Sequence, residues 1–271
     1  MCRLEVDDLV SVCRDVADKI RELQGLPSMR TKVFERCGDV IWGIDLVAES
    51  LVIEYFRELG VGRLITEDRG LLVLRDGRSD VAVVDPLDGS TNYVLGIPAC
   101  CVSVAYGRGS RLCDLDVGVV IGIYPRFEVW VVRGREVVVR GLRVVSSGCD
   151  VSIVSLYLEH GYELLVRKLG ELLGSVKIRH LGCVALELLL VGLGSITLFI
   201  DLRNRLRLTD VAAPYVICRE LGVQFVDVLG EDIGYVPLVE NTRLRLVAGR
   251  VEIIKSVLPL IKGILRDYSS R

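Results

Sequence analysis

The sequence has no strong excess of charge of either sign. Its 34 basic and 36 acidic residues leave a formal net charge of −2. No global positive field therefore draws it to nucleic acid. No glycine- or proline-dominated tract and no internal repeat is present, which excludes collagen-like, linker-like and low-complexity chains. Amides are scarce, limited to Gln24, Gln224, Asn92, Asn204 and Asn241. Lysine occurs only at Lys19, Lys32, Lys168, Lys177, Lys255 and Lys262, so arginine dominates the cations. With abundant Val and Ile, this scarcity points to a thermophile. The nine cysteines include no C-x-x-C pair, although Cys100 and Cys101 are adjacent. That spacing argues against zinc and for small buried hydrophobes. In a thermophile an intracellular disulfide is open to such a chain.

No uninterrupted apolar run spans a bilayer. The stretch 182–200 comes nearest, but Glu187 interrupts it and Gly192 and Gly194 break it in two. It reads as a buried helix over Val184–Val191, a glycine turn and a strand over Ser195–Ile200. Glu5, Asp7 and Asp8 stand where the apolar core of a signal peptide would begin, so the expectation is a cytoplasmic protein without membrane contact. What is present is 271 residues with 51 % apolar and 26 % charged content, enough for a large core and incompatible with a disordered chain.

Two halves of different pattern follow one another. In the first, helices over 4–23 and 46–59 accompany short β-branched runs at Leu71–Leu74, Val81–Val84, Cys101–Tyr106, Val117–Ile123 and Phe127–Val132. Glycine, aspartate and proline turns between them predict antiparallel hairpins. In the second, strands at Val151–Tyr157, Val176–Ile178, Ser195–Ile200, Val223–Val226 and Leu246–Ala248 alternate with helices. These helices cover Tyr162–Leu173, Val184–Val191, Val211–Leu221 and Val251–Leu265, an α/β pattern. The stretch Gly141–Gly148 predicts a boundary, giving an antiparallel-sheet half over 1–143 and an α/β half over 144–271.

The chemistry concentrates at Val81-Ala-Val-Val-Asp85-Pro-Leu-Asp88-Gly-Ser-Thr91-Asn92. A buried strand ends in two carboxylates separated by a proline-stiffened turn. Two close anions repel unless a cation lies between them. The Leu87 carbonyl adds a neutral oxygen, and hard oxygen ligands of this kind suit Mg²⁺. Gly89 allows close backbone approach, and Ser90 and Thr91 can open a helix whose free N–H groups receive a phosphate. Thr66-Glu67-Asp68 supplies a second acidic strand end, and Thr209-Asp210-Val-Ala-Ala213 places an aspartate at a helix start. Each alone also reads as a turn or a helix cap.

Asp85-Pro-Leu-Asp-Gly-Ser-Thr-Asn92 closely resembles the D-P-[IL]-D-G-[ST]-T-N signature of the inositol monophosphatase family. Asp210-Val-Ala-Ala213 resembles its second signature, W-D-x-A-[AGS], and Glu67 stands where the first acidic metal ligand lies. The similarity runs from the Asp45…Glu49 helix to Val247-Ala-Gly249. The segment Leu202–Asp210 looks most like the archaeal branch, whose members act on inositol monophosphate and fructose 1,6-bisphosphate. Thr209 replaces the usual Trp, Cys183 a Ser or Thr, and Asp201 the Glu of animal enzymes, while Asp68 is a tolerated variation.

The resemblance implies a layered αβαβα fold and a phosphomonoesterase with two or three Mg²⁺ ions per site. Glu67, Asp85 and the Leu87 carbonyl would hold one ion. Asp85, Asp88 and Asp210 would hold a second, and Glu67 with waters a third, weaker one. Asp45, Glu67 and Ser90 would be catalytic, with Ser90 and Asp45 orienting or deprotonating the attacking water. The Gly89 and Ser90 N–H groups would hold the phosphate, while Asp88, Asp201 and the Gly182-Cys183-Val184 turn would contact polyol hydroxyls. For the second phosphate of a bisphosphate, Arg179 is preferred to Arg203 and Arg205. Tyr157, His160 and His180 receive no role. A homodimer is expected, because relatives are typically dimers and the apolar content exceeds what one globule must cover. A 3′-phosphoadenosine 5′-phosphate phosphatase and a non-catalytic regulator are the alternatives.

Overall fold

The structure, a computed structural model, describes residues 4–36, 39–144, 151–159, 162–240 and 242–269. Helix α1 (Val6–Glu22) is followed by strands β1 (Lys32–Arg36) and β2 (Asp39–Trp42) and helix α2 (Gly43–Glu58). Next come β3 (Arg63–Thr66), β4 (Gly70–Val73), β5 (Asp80–Asp88), the short helix α3 (Ser90–Leu95), β6 (Cys100–Arg108), β7 (Leu115–Tyr124), β8 (Phe127–Val132) and β9 (Val138–Arg140). The later chain forms β10 (Val151–Tyr157), α4 (Tyr162–Leu173), β11 (Ser175–Arg179), α5 (Val184–Gly192) and β12 (Leu198–Arg207). It ends with α6 (Leu208–Glu220), β13 (Gln224–Val226), β14 (Arg243–Gly249) and α7 (Val251–Ser269).

Two main sheets result. One has the order β4-β3-β5-β6-β7-β8-β9 and the other β11-β10-β12-β14-β13. Strand β5 shows how the layers arise. Its side chains alternate, so Val81 and Val83 enter one core while Ala82 and Val84 enter another. The Ala82 side packs on α1 and α2, through Leu9, Val16, Ala48 and Phe56. The Val81 side meets α5 and α6, through Leu186, Leu189, Ala212 and Val216, and beyond them Phe199 and Leu246 of the second sheet. The second sheet's far face carries α4 and α7, through Leu165, Leu169, Val257 and Ile261. The order is therefore αβαβα, as expected. Helix α5 lies between the sheets and is apolar nearly all round, which accounts for the long apolar stretch. Among the described residues no helix is long and apolar enough to cross a membrane.

Three features differ from expectation. In the first sheet β3 runs parallel to β5, because β4 closes its hairpin on the opposite edge of β3. The β1–β2 hairpin and β9 were not anticipated, for β1 is rich in charge and β9 has only three residues. Strand β12 continues past Ile200 to Arg207, with a register shift between Asp201 and Leu206 and Asn204 at φ 61°. The boundary stretch Gly141–Gly148 falls largely on residues 145–150, which lie outside the described residues. One core cluster joins the two sheets.

Cys13, Cys100, Cys101, Cys183 and Cys218 are buried free thiols, and Cys113 is half-buried. Cys2, Cys37 and Cys149 lie outside the described residues, as does His160.

Candidate active site

The C-terminal end of β5, the start of α3, the bulged end of β12 and the first turn of α6 meet around one cavity of about 250 Å³. It is lined by Asp45, Glu67, Asp85, Leu87, Asp88 and Asp210, with Gly89, Ser90 and Thr91 along one side. Tyr157, His180, Gly182, Val184, Arg203, Arg205 and Arg207 form the remaining wall.

Local rules place the acids. Asp85 Oδ1 accepts the Leu87 N–H at 3.0 Å, which closes the proline turn and leaves Asp85 2 % exposed. Gly89 follows at φ 83°, where a Cβ would stand 2.5 Å from the Ala99 carbonyl oxygen, so only glycine fits. Asp88 accepts the Val184 N–H at 3.2 Å and the Ala185 N–H at 2.6 Å, thereby capping α5 across the molecule. Asp210 Oδ2 accepts the Arg207 N–H at 2.9 Å at the start of α6. Asp45 Oδ2 accepts the Trp42 N–H at 2.7 Å, and the nearby Ser90 side chain favours its anionic form. Asp85, Asp88 and Asp210 are thus held by backbone, as a preorganised ligand set requires.

Electrostatics mark the same cluster. Burial first, then the charges of Glu67, Asp88 and Asp210, push the Asp85 carboxyl well above the usual range. Burial and Asp210 push Asp88 up to about 7. Burial, with Asp210, Asp68 and Asp45 and against Arg207, pushes Glu67 up to about 8. Burial raises Asp210, again against Arg207. Asp45 rises to about 6 through burial, against its bond to Trp42 and the nearby Ser90 side chain. Arg207 donates to Glu67, whereas Arg203 pairs with Asp201 and Arg205 with Glu159. The crowded carboxylates thus face the Arg207 guanidinium in their midst. The arrangement fits hard divalent cations, which restore the anionic form that burial opposes.

The thiols beside Asp88 are different in kind. Cys183 Sγ donates to Asp88 Oδ2 at 3.3 Å, and Cys101 Sγ lies 3.6 Å from Cys183 Sγ. Burial raises both, so they remain thiols that support Asp88.

Not every expected residue meets the cavity. Asp201 is fully buried behind it, where it accepts from Arg203 at 2.7 Å, and Cys183 is buried behind Asp88. Arg179 is exposed on β11, outside the lining, and donates to its own neighbour's carbonyl at Ile178. Arg203 and Arg205 do line the cavity, with Arg203 stacked 4.3 Å over the Tyr157 ring. Other parts went unread in the sequence. Asn92 Nδ2 donates to the Ala99 and Leu181 carbonyls, which ties the signature to the Gly182 turn. Glu187, fully buried, accepts from Tyr157, Ser155 and the Leu181 N–H, and the Gly182 N–H donates to the Tyr157 hydroxyl. The glutamate interrupting an apolar helix was the available signal for that clamp. Arg207 was unmarked among the three alternating arginines 203, 205 and 207.

The sequence profile of the inositol monophosphatase family matches residues 9–261. The chain belongs to that family. It is 36 % identical to an inositol-1-monophosphatase from Aeropyrum pernix, across 73 % of this chain and 78 % of that one. It is 30 % identical to a fructose-1,6-bisphosphatase/inositol-1-monophosphatase from Thermococcus kodakarensis, across 82 % of this chain and 84 % of the relative. A Pyrococcus horikoshii protein described as having similarities to inositol-1 monophosphatase superposes with a TM-score of 0.76 at 28 % identity, over 93 % and 96 % of the two chains. The resemblance to the family and its archaeal dual branch is borne out, and the protein is a phosphatase acting on phosphorylated substrates. The family is metal-dependent, in accord with the acidic cavity.

Proposed function

We propose that this phosphatase hydrolyses sugar and polyol phosphomonoesters, with fructose 1,6-bisphosphate and inositol 1-phosphate as substrates. The observation that carries the reading is the convergence of Glu67, Asp85, Asp88 and Asp210 on one cavity beside the Gly89–Thr91 backbone. Glu67, Asp85, Asp88, Asp210 and the Leu87 carbonyl would hold two or three Mg²⁺ ions. When bound, such ions supply positive charge for the phosphoryl oxygens and lower the pKa of water.

The chain's own groups do the rest. The backbone at Gly89 and Ser90, at the open N-terminal end of α3, receives the phosphate. Ser90 and Asp45 orient the attacking water, and Asp45, pushed up to about 6, takes its proton near neutral pH. Attack is in line, without a phosphoenzyme. Gly182 and Val184 border the polyol, and the Glu187–Tyr157 clamp fixes their turn. Arg203 and Arg205 line the wall suited to a second phosphate, through charge-assisted bonds.

The phosphatase works as a cytoplasmic homodimer in this reading, and light scattering checks the assembly by giving twice the chain mass. Phosphate release with Mg²⁺ is the direct test of function, run on fructose 1,6-bisphosphate, inositol 1-phosphate and 3′-phosphoadenosine 5′-phosphate. The first two are turned over, and chelation with EDTA abolishes release. Turnover of the nucleotide alone would move the substrate class, and full turnover after chelation would refute the metal assignment.

A further inference from the structure

We propose that Arg207 is a built-in counter-cation that competes with a divalent metal ion for Glu67 and so sets the site's metal affinity. The inference rests on the reading that the carboxylate cluster holds such ions.

Three arginines of one strand end, Arg203, Arg205 and Arg207, line the cavity, yet they are committed differently. Arg203 donates to Asp201 and covers the Tyr157 ring. Arg205 pairs with Glu159 at 2.7 Å on the exposed rim. Arg207 turns to the acids and donates through Nη1 to Glu67 Oε1. Its backbone is not free to drift, because its N–H is held at 2.9 Å by Asp210 Oδ2 at the N-cap of α6. Asp210, a ligand candidate, therefore fixes the arginine that neutralises another ligand candidate. The side chain is only 18 % exposed, so solvent screens its charge weakly.

A guanidinium and a divalent cation sharing one carboxylate repel each other, so each lowers the other's affinity for it. Without metal, Arg207 offsets part of the repulsion among Glu67, Asp85 and Asp210. With metal, the same charge opposes occupancy of the ion that depends most on Glu67. A neutral residue at 207 reverses both effects.

Calorimetric titration of MgCl₂ into metal-free protein, without substrate, tests this. Arg207→Gln is expected to bind the ion about ten-fold more tightly than wild type. It should also melt lower in EDTA and gain more from Mg²⁺. Arg207→Lys keeps the charge but loses the planar fork, and should tighten binding only about two- to three-fold. Unchanged or weaker affinity in Arg207→Gln would overturn the proposal. If that variant does not fold even with Mg²⁺, Arg207→Lys decides by the same criterion. A wild-type protein that binds no divalent ion would instead refute the metal site, a different result from a metal affinity indifferent to residue 207.

Discussion

Strand β5 buries Asp80 at its start and Asp85 towards its end, and the two live in opposite surroundings. Asp80 is met by the Arg78 fork, with Nε and Nη2 at 2.7 and 2.9 Å, and by the Tyr106 hydroxyl at 3.0 Å. Burial would raise its carboxyl, but these partners outweigh burial and hold it below the usual range. Asp85, equally hidden, has one backbone N–H at 3.0 Å and otherwise confronts Glu67, Asp88 and Asp210. The first acid is completed by the protein. The second is completed only by something positive that the protein does not itself supply in full. That contrast separates a structural carboxylate from one kept for chemistry.

Substitution should divide the pair most sharply. Asp85→Asn is expected to cut phosphate release at least ~10²-fold while leaving the fold and metal-free stability intact. Asp80→Ala should do the reverse. It strands a half-buried Arg78 and lowers stability by roughly 3 kcal/mol, with turnover retained where the protein stays folded. Circular-dichroism melts beside phosphate-release assays check both. Near-normal turnover in Asp85→Asn would reduce that residue to a turn cap.

The two ends should also answer pH with opposite sign. Asp45, Asp88 and Glu67 are raised to about 6, 7 and 8. Groups raised on folding contribute stability at low pH that is lost as pH rises through their folded values. In EDTA the melting temperature should therefore increase from pH 8 to pH 5.5. Asp80, held low, contributes above its unfolded value and loses that contribution as pH falls further, so stability should decline again in stronger acid. Mg²⁺ should stabilise most at pH 8, where the cluster is most anionic. A melting temperature in EDTA that climbs steadily to pH 8 would break the comparison.

A smaller effect concerns the far wall. Arg205→Ala is expected to raise KM for fructose 1,6-bisphosphate about ten-fold and leave inositol 1-phosphate unchanged. Arg179→Ala, outside the cavity, should change neither; steady-state kinetics on both substrates decide.

How far the sequence could be read follows from how local each feature is. Asp85 to Asn92 is one continuous segment, so its carboxylates, its glycine and its helix start were legible together. The layers were legible too, because alternation along strands and the apolar face of α1 are short-range signals. What Asp88 touches was not, since Val184 and Ala185 lie 96 and 97 residues away and only folding brings their N–H groups to it. The Arg207–Glu67 pair spans 140 residues, and nothing in Leu202–Arg207 distinguishes one arginine from the next. The preference for Arg179 failed to anticipate its exposure because the β12 bulge, which turns Arg203 and Arg205 into the cavity, has no sequence signature beyond Asn204.

The measurement that bears most directly on the central claim is titration of MgCl₂ into metal-free protein at pH 7, in two buffers of different ionisation enthalpy. Asp88 and Glu67, pushed up to about 7 and about 8, hold protons at that pH that a bound cation expels. Binding with net proton release is expected in the wild type, with a loss of about ten-fold or more in affinity in Asp85→Asn. Binding without proton release, or equal affinity in the two proteins, would contradict that claim.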